Sequence, residues 1–242
     1  MEIEFCLPIY NEEKILAANS GQLFDFCRRR NFPFSWRIIL IVNGSTDRSL
    51  AIAKSIAAGA PESFLTVEEK EKGRGRALKK YWQKSHADIL VYMDADLATS
   101  LDNISDLLSP LLADESDLVI GSRLLAKSKI ERPLFREFIS QSYNLLSRLI
   151  LRHKFSDLQC GFKAIKRETF LRLAPYLESR NWFFDTELIM LADFFHYRIK
   201  EIPVVWEEGR WEQRHSKVNV GRDSLAFLLN LLRLKIRLHK IR

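Results

Sequence analysis

Apolar positions in the first 123 residues fall into two alternating kinds of run. Short blocks, Ile3–Pro8, Arg37–Val42, Phe64–Val67, Ile89–Met93 and Leu118–Ile120, are apolar almost throughout. Blocks of this length bounded by polar residues predict strands buried on both faces. Between them, Glu12–Arg30, Asp47–Ala58, Gly75–Ser85 and Leu101–Ala113 have helical length and spacing. Such alternation predicts an α/β fold: a mainly parallel, Rossmann-like sheet flanked by helices. Sheets of this kind bind ligands at the carboxyl ends of their strands. The polar clusters fall there: Tyr10-Asn11-Glu12-Glu13, Asn43-Gly44-Ser45-Thr46-Asp47, Asp94-Ala95-Asp96 and Gly121-Ser122-Arg123.

From about Lys129 the pattern changes. Phe135, Phe138, Ile139, Ser142, Leu145, Leu146, Leu149 and Ile150 lie at helical spacing on one face, flanked by Arg132, Arg136, Arg148, Arg152 and Lys154. Pro133 stands where it can start that helix. The end of the chain repeats the style, with Leu225, Leu228, Leu229, Leu232 and Ile236 beside Arg233, Lys235, Arg237, Lys240 and Arg242. No repeat or linker marks a domain cut. One domain over 1–242 is expected, with a first half over 1–123, a second over 124–221 and a basic amphipathic helix over 222–242.

Charge adds a direction. The net charge is +7, which favours polyanionic partners such as phosphorylated substrates, anionic lipid or nucleic acid. The three cysteines, Cys6, Cys27 and Cys160, are too few and too scattered for a disulfide framework or a zinc pattern, so a reducing, cytoplasmic location is expected. No signal peptide is visible, and no stretch reaches the roughly 18 apolar residues of a membrane span.

Candidate chemistry sits in the polar clusters. Asp94 and Asp96 end a buried strand two residues apart, so their side chains leave in about the same direction. Two such anions suit a hard divalent cation, Mg²⁺ or Mn²⁺, that also takes oxygens from a substrate phosphate. Alone, an Asp-x-Asp pair is better explained by a solvated loop. Tyr10 and Glu12 after the first strand suit a base and ribose, and Asn11 there also suits a helix N-cap. In the second cluster Ser45 or Thr46 suits the cap of the next helix. Lys72-Gly73-Arg74-Gly75-Arg76 precedes a helix and can meet phosphates through backbone N–H groups and guanidinium forks. It lacks the spacing of a P-loop.

In this order, Pro-Ile-Tyr-Asn-Glu-Glu, Asn-Gly-Ser-Thr-Asp, Lys-Gly-x-Gly-x-Ala, Asp-Ala-Asp-Leu and Gly-Ser-Arg resemble the inverting glycosyltransferases of family 2, which have the GT-A nucleotide-sugar fold. Three downstream segments narrow the resemblance to enzymes that charge dolichyl or other polyprenyl phosphates with a sugar. They are Asp157-Leu158-Gln159-Cys160-Gly161-Phe162-Lys163, Trp182-Phe183-Phe184-Asp185-Thr186-Glu187, and Glu201-Ile202-Pro203-Val204-Val205-Trp206 leading to Ser216-Lys217-Val218. The resemblance implies that 1–123 is the nucleotide-sugar half and 124–221 the acceptor half. It implies that Pro8, Tyr10 and Glu12 line the nucleotide pocket with Lys72, and that Asp94 and Asp96 hold the metal and donor diphosphate. Arg123 would lie close to the phosphates, Lys217 would help with the acceptor phosphate, and Gln159, Asp185 and Glu187 would shape the sugar and acceptor side. Val42 stands where the family commonly has an acid that contacts the base, leaving Asn43 as the nearest polar substitute.

The implied reaction suits these residues. A nucleotide diphosphate leaving group needs cations, whereas a phosphate acceptor, with its second pKa near ~6, is already anionic and needs no general base. Asp185 and Glu187 are therefore expected as positional ligands. The expected partners are a nucleotide-sugar donor (UDP-glucose favoured, GDP-mannose the other candidate), a polyprenyl phosphate and the cytoplasmic face of a membrane, met peripherally through basic amphipathic helices. Transfer to a glycan or soluble acceptor is the alternative. A nucleotidyltransferase would show a Gly-rich first turn, and a nonenzymatic polyanion or nucleic-acid binder would not account for Asp94 and Asp96.

Overall fold

The computed structural model describes residues 1–131, 134–207 and 220–241, with side chains described outside 134–140 and 220–225. Strands and helices alternate as β1 (Glu2–Ile9), α1 (Leu16–Arg30), β2 (Ser35–Asn43), α2 (Ser49–Gly59), β3 (Phe64–Glu69), α3 (Arg74–Trp82), β4 (Ile89–Met93), α4 (Asn103–Leu112) and β5 (Leu118–Ser122). There follow β6 (Lys129–Glu131), α5 (Leu134–Leu151), β7 (Phe162–Lys166), α6 (Arg167–Leu173), α7 (Phe184–Phe194), β8 (Ile199–Pro203), β9 (Val205–Glu207) and α8 (Val220–Ile241). The main sheet runs β3-β2-β1-β4-β7-β5-β8, and β6 pairs with β9 in a small second sheet. β7 is antiparallel to both its neighbours, while the other main-sheet pairs are parallel.

The five apolar blocks became five strands for the expected reason: both faces of the sheet are covered. In β1, Ile3, Phe5, Leu7 and Ile9 join one core with α1, α2 and α4, whereas Cys6 faces the core of α3, α6 and α7. Strand β4 alternates likewise, with Val91 and Met93 on the first side and Leu90 and Tyr92 on the second. Strand β7 carries a charge into this second core: Lys163 is 1% exposed.

Two local expectations are corrected. Asn11 does not cap α1. Its φ is +52°, and its side chain turns to the neighbouring loop, where Oδ1 accepts from Thr46 N–H at 2.8 Å. Nor do Ser45 and Thr46 cap α2. The N-cap position is Arg48, which makes no side-chain cap, and Asp47 Oδ1 before it accepts from Ser49 N–H at 3.0 Å. Ser45 Oγ instead accepts from Asn11 N–H at 3.1 Å, so the side chains of one loop satisfy the backbone of the other. Pro133, expected at a helix start, and Arg132 lie outside the described residues.

Gly75 sets how closely α3 meets α7. A Cβ there would stand 2.5 Å from Cβ of Phe184, so no rotamer change could relieve it. Gly75→Ala should destabilise the chain by about 1–3 kcal/mol through overpacking, read as a lowered urea midpoint. An unchanged midpoint would show that the two helices do not meet as described.

Candidate active site at the carboxyl edge of the sheet

The polar clusters meet where β1, β2 and β4 end. Asn43, 3% exposed, donates from Nδ2 to Ile9 O at 2.8 Å and accepts from Gly73 N–H at 3.1 Å. Its amide thus ties two strand ends to the loop before α3. One N–H and one lone pair of the amide remain beyond these two backbone contacts, so the expected contact with the base stays a proposal. Lys72 reaches from the same loop over Tyr10, with Nζ 3.9 Å from the ring centroid. Glu12 is buried, and its N–H donates to Ser49 Oγ at 2.8 Å. Pro8 is half-buried near the end of β1. The structure therefore brings Tyr10, Asn43 and Lys72 together, with Pro8 and Glu12 beside them.

Asp94 follows Tyr92 by two residues and leaves the sheet on the same side, toward α3. Its Oδ1 accepts from Tyr92 Oη at 2.8 Å and from Arg74 Nη1 at 3.2 Å. Arg74 lies on Trp182, 4.2 Å from the ring centroid, and its Nη2 pairs with Asp185 Oδ2. Asp185 is fully buried, and Lys163 Nζ donates to its Oδ1 at 2.8 Å. Asp94, Arg74, Asp185 and Lys163 form one chain of alternating charge. Burial works against the guanidinium of Arg74, but the carboxylates of Asp185 and Asp94 raise its pKa above the ordinary value. Burial likewise pushes the Tyr92 phenol well up, so it stays a neutral donor.

The second acid, Asp96, turns back: its Oδ1 accepts from Ala98 N–H at 3.2 Å, beside Leu97 with φ at +51°. Two carboxylates are hard oxygen donors of the kind Mg²⁺ or Mn²⁺ takes. Gly161 makes room for the first of them, since a Cβ there would lie 2.0 Å from Asp94 Oδ2. Among the described residues no group of three or more His, Cys, Asp or Glu is placed to hold a metal. A cation held by these two acids would draw the rest of its shell from substrate or water.

Arg123 closes the other flank. Nε and Nη2 grip Asp157 at 2.7 and 3.0 Å, and the guanidinium lies 5.0 Å from the ring centroid of Trp206. Burial alone would raise the Asp157 carboxyl, but Arg123 and the backbone N–H groups of Gln159 and Arg123 hold it at about 2. Gln159 is half-buried beside this pair. A cleft of about 500 Å³ opens next to Arg123, lined also by Leu124, Ile130, Asn144, Leu145 and Arg148.

Not every expected residue faces this edge. Asp185 is consumed by two cations inside the protein. Glu187, 2% exposed, accepts from the N–H groups of Glu178 and Ser179 at 3.0 and 2.8 Å and pairs with Arg237 of α8. The structure thus gives both acids internal work, because neither is solvated. Lys217 lies outside the described residues. The sequence placed Arg74 in a candidate phosphate loop and Asp157 and Lys163 in a family-like segment, but named the partner of none of them. Arg74 and Asp185 are 111 positions apart, and no local pattern announces such a pair.

Comparison with known proteins places the chain. The model of glycosyl transferase family 2 matches residues 4–173. Glycosyltransferase AglD of Haloferax volcanii is 32% identical over 96% of this chain and 37% of its own length. Dolichyl-phosphate beta-glucosyltransferase ALG5C of Trichomonas vaginalis is 30% identical over 84% and 63%. The chain thus spans less than two thirds of either relative. The human dolichyl-phosphate beta-glucosyltransferase is 27% identical over 96% and 76%. Glucosyl-3-phosphoglycerate synthase from Mycobacterium tuberculosis, solved with Mn²⁺, UDP and glucosyl-3-phosphoglycerate, shares the fold at a TM-score of 0.64 and 19% identity, over 96% of this chain and 80% of that one. Mannosyl-3-phosphoglycerate synthase from Rubrobacter xylanophilus does so at 0.68 and 15%, over 98% and 73%. The fold is GT-A.

Acid should unfold the chain in two windows. Burial, with Arg148 nearby, holds the His153 imidazole down at about 4 against an ordinary 6.5. Its contribution is therefore complete above about 6.5 and is lost as pH falls toward about 4. Asp157 is also depressed, so its contribution is complete above 3.8 and is lost as pH falls toward about 2. In urea unfolding, His153→Gln should flatten the first window and leave the second. Equal slopes in both proteins between pH 6.5 and 4 would rule out a buried neutral His153.

Proposed function

The chain belongs to glycosyl transferase family 2, and from that premise we propose that it moves a hexose from a nucleotide-sugar to a polyprenyl or dolichyl phosphate at a membrane surface, with inversion. One observation carries the acceptor side. Among its described side chains, helix α5 packs Tyr143, Ile150 and Leu151 on the core and turns a second apolar stripe outward. Its buried positions include Asn144 and Ser147, while Leu145, Leu146 and Leu149 are exposed, Leu149 to 69%. Leucines turned outward beside a cleft with two arginines suit an acceptor whose headgroup is an anion and whose tail is hydrocarbon.

Helix α8 adds to the same surface. Leu231 and Leu234 are buried on its inner side, whereas Leu229, Leu232 and Ile236 are exposed on the other. Arg237 of the same helix pairs with Glu187 and Glu178, so the helix is fastened to the body while its apolar stripe faces out. Among the described residues no helix is long and apolar enough to cross a membrane. The reading is of a single transferase domain resting on the cytoplasmic face through α5 and α8.

The donor half follows the residues at the sheet edge. Tyr10, with Pro8, Glu12 and Lys72, would receive the nucleotide, and Asn43 would hold the loops that shape its pocket. Asp94 and Asp96 would hold a divalent cation, Mg²⁺ or Mn²⁺, which supplies positive charge to the leaving diphosphate. Arg123 would place the acceptor phosphate, with Lys217 completing that role and Gln159 bordering the sugar. A phosphate nucleophile needs orientation and no proton removal, which agrees with Asp185 and Glu187 being engaged inside the fold. UDP-glucose is the favoured donor because several relatives bear the name dolichyl-phosphate beta-glucosyltransferase. A soluble phosphorylated acceptor is the second reading, prompted by the fold shared with two phosphoglycerate-glycosylating enzymes.

A donor panel offered with polyprenyl phosphate or 3-phosphoglycerate, read by mass spectrometry, tests this. The expected product is glucosyl polyprenyl phosphate from UDP-glucose, abolished by EDTA. Product from 3-phosphoglycerate alone would overturn the lipid acceptor, and full activity in EDTA would overturn the metal. Arg123→Lys keeps a charge but loses the fork to Asp157, and should slow transfer about 10²-fold, the worth of a charge-assisted contact in a dry site. Wild-type turnover would remove Arg123 from the acceptor site.

The membrane surface has its own test. Leu145→Ser/Leu149→Ser should weaken flotation with anionic liposomes and slow transfer to a long polyprenyl phosphate, sparing a short soluble one. Thermal stability should hold, since neither side chain is in the core. Unchanged flotation, or equal loss on both acceptors, would sink the docking face.

A further inference from the structure

Arg74 does more than the sequence asks of a basic loop residue. It is the first residue of α3, its side chain is only 12% exposed, and it spans two carboxylates, Asp94 and Asp185. The two ends of that span are unequal. Asp185 is fully buried and shared with Lys163, so it has no other destination. Asp94 is 25% exposed, stands at the strand end, and meets Arg74 at the longer distance of 3.2 Å. Its position is also the one a divalent cation would claim. A guanidinium on Oδ1 and a metal ion on the same small carboxylate repel each other and share one negative charge, so each weakens the hold of the other.

Resting on the donor site read above, we infer that Arg74 holds Asp94 in place of a divalent cation, and passes from Asp94 to the donor diphosphate when the metal and nucleotide bind. The anchor for this exchange is the far nitrogen, Nη2, which stays on Asp185. Stacking on Trp182 keeps the guanidinium plane in place at 4.2 Å, so the released Nη1 stays at the mouth of the site. The guanidinium is a planar fork, and its Nη1 keeps two N–H donors once Asp94 is released. Planar forks of this kind match phosphate oxygens well. Without ligand, Arg74 keeps two acids from repelling each other. With ligand, the cation takes over Asp94, and Arg74 adds a second positive charge where the leaving group gathers negative charge. Arg74 is thus a positioning residue for Asp94 that becomes a diphosphate ligand.

The inference makes two affinities move in opposite directions. Binding of Mn²⁺ to the full chain can be read by electron paramagnetic resonance, first alone and then with UDP, or with GDP if the wild type takes that base. Arg74→Met should bind Mn²⁺ alone about tenfold more tightly, since a charge-assisted competitor is gone. It should bind the Mn²⁺-nucleotide about tenfold more weakly, since the diphosphate loses the same kind of contact. Arg74→Lys keeps a charge beside Asp185 but cannot fork to a second carboxylate, and it carries the Mn²⁺ measurement if Arg74→Met does not fold. Unchanged affinities would overturn the exchange, as would two affinities that fall together, which is the mark of a loosened fold. If the wild type takes up no Mn²⁺ with or without nucleotide, the metal-dependent reading of the donor site falls and the exchange with it. Binding by the wild type with equal affinities in the variants overturns the exchange alone.

Discussion

A carboxylate without access to water must be met by positive charge, and the position of Asp185 makes that requirement organise the whole active edge. It sits in the first turn of α7, fully buried, between Arg74 at the start of α3 and Lys163 in β7. Leaving any one of these three charges alone would cost several kcal/mol, roughly 3–5 by the general behaviour of broken buried pairs. Helix α3, strand β7 and helix α7 are therefore held in one arrangement. Asp94 hangs on the end of the chain through Arg74 and Tyr92, so its direction is inherited from Asp185.

The same logic recurs along the edge with other residues. Asp157, also fully buried, is gripped by Arg123 and by its own loop, and the N–H groups around it are drawn to Glu201 of β8. Glu187 fastens α8 to the body. Below these acids the sheet is ordinary hydrocarbon, supplied by β1, β2, β4 and β5 on both faces. Stability comes mainly from that core. The buried charges contribute less to stability than to arrangement, since a pair out of water repays its desolvation only when its geometry is held.

Outward-facing leucines complete the arrangement. The inner side of α5 mixes polar and apolar groups: Ser147 Oγ lies 2.9 Å from His153 Nε2, Tyr143 Oη lies 2.8 Å from Thr186 Oγ1, and Ile150 and Leu151 pack on the core. Among the described residues Leu145, Leu146 and Leu149 of the same helix stay exposed. The cleft beside Arg123 opens against that helix, and Leu145 belongs to both its wall and the exposed stripe. The cationic cleft and the exposed leucines are thus adjacent.

The five apolar blocks, their helices and the placement of polar clusters at strand ends were legible in the chain. Burial on both faces demands continuous apolar runs, and that demand is local. The aspartates at the end of β4 were legible for the same reason, as charges that stop an otherwise buried strand. What the sequence did not determine are relations between distant residues. Strand β7 enters the middle of the sheet antiparallel and brings Lys163 under Asp185. Arg74 reaches Asp185, and Arg123 reaches Asp157. Asn43 ties the backbone of Ile9 to that of Gly73. The leucines of α5 show the same division. Their spacing predicts a stripe, but whether a stripe faces the core or the outside depends on what packs behind it. A buried charge or an apolar stripe defines a need that the sequence can display, and only the folded chain decides which partner meets it.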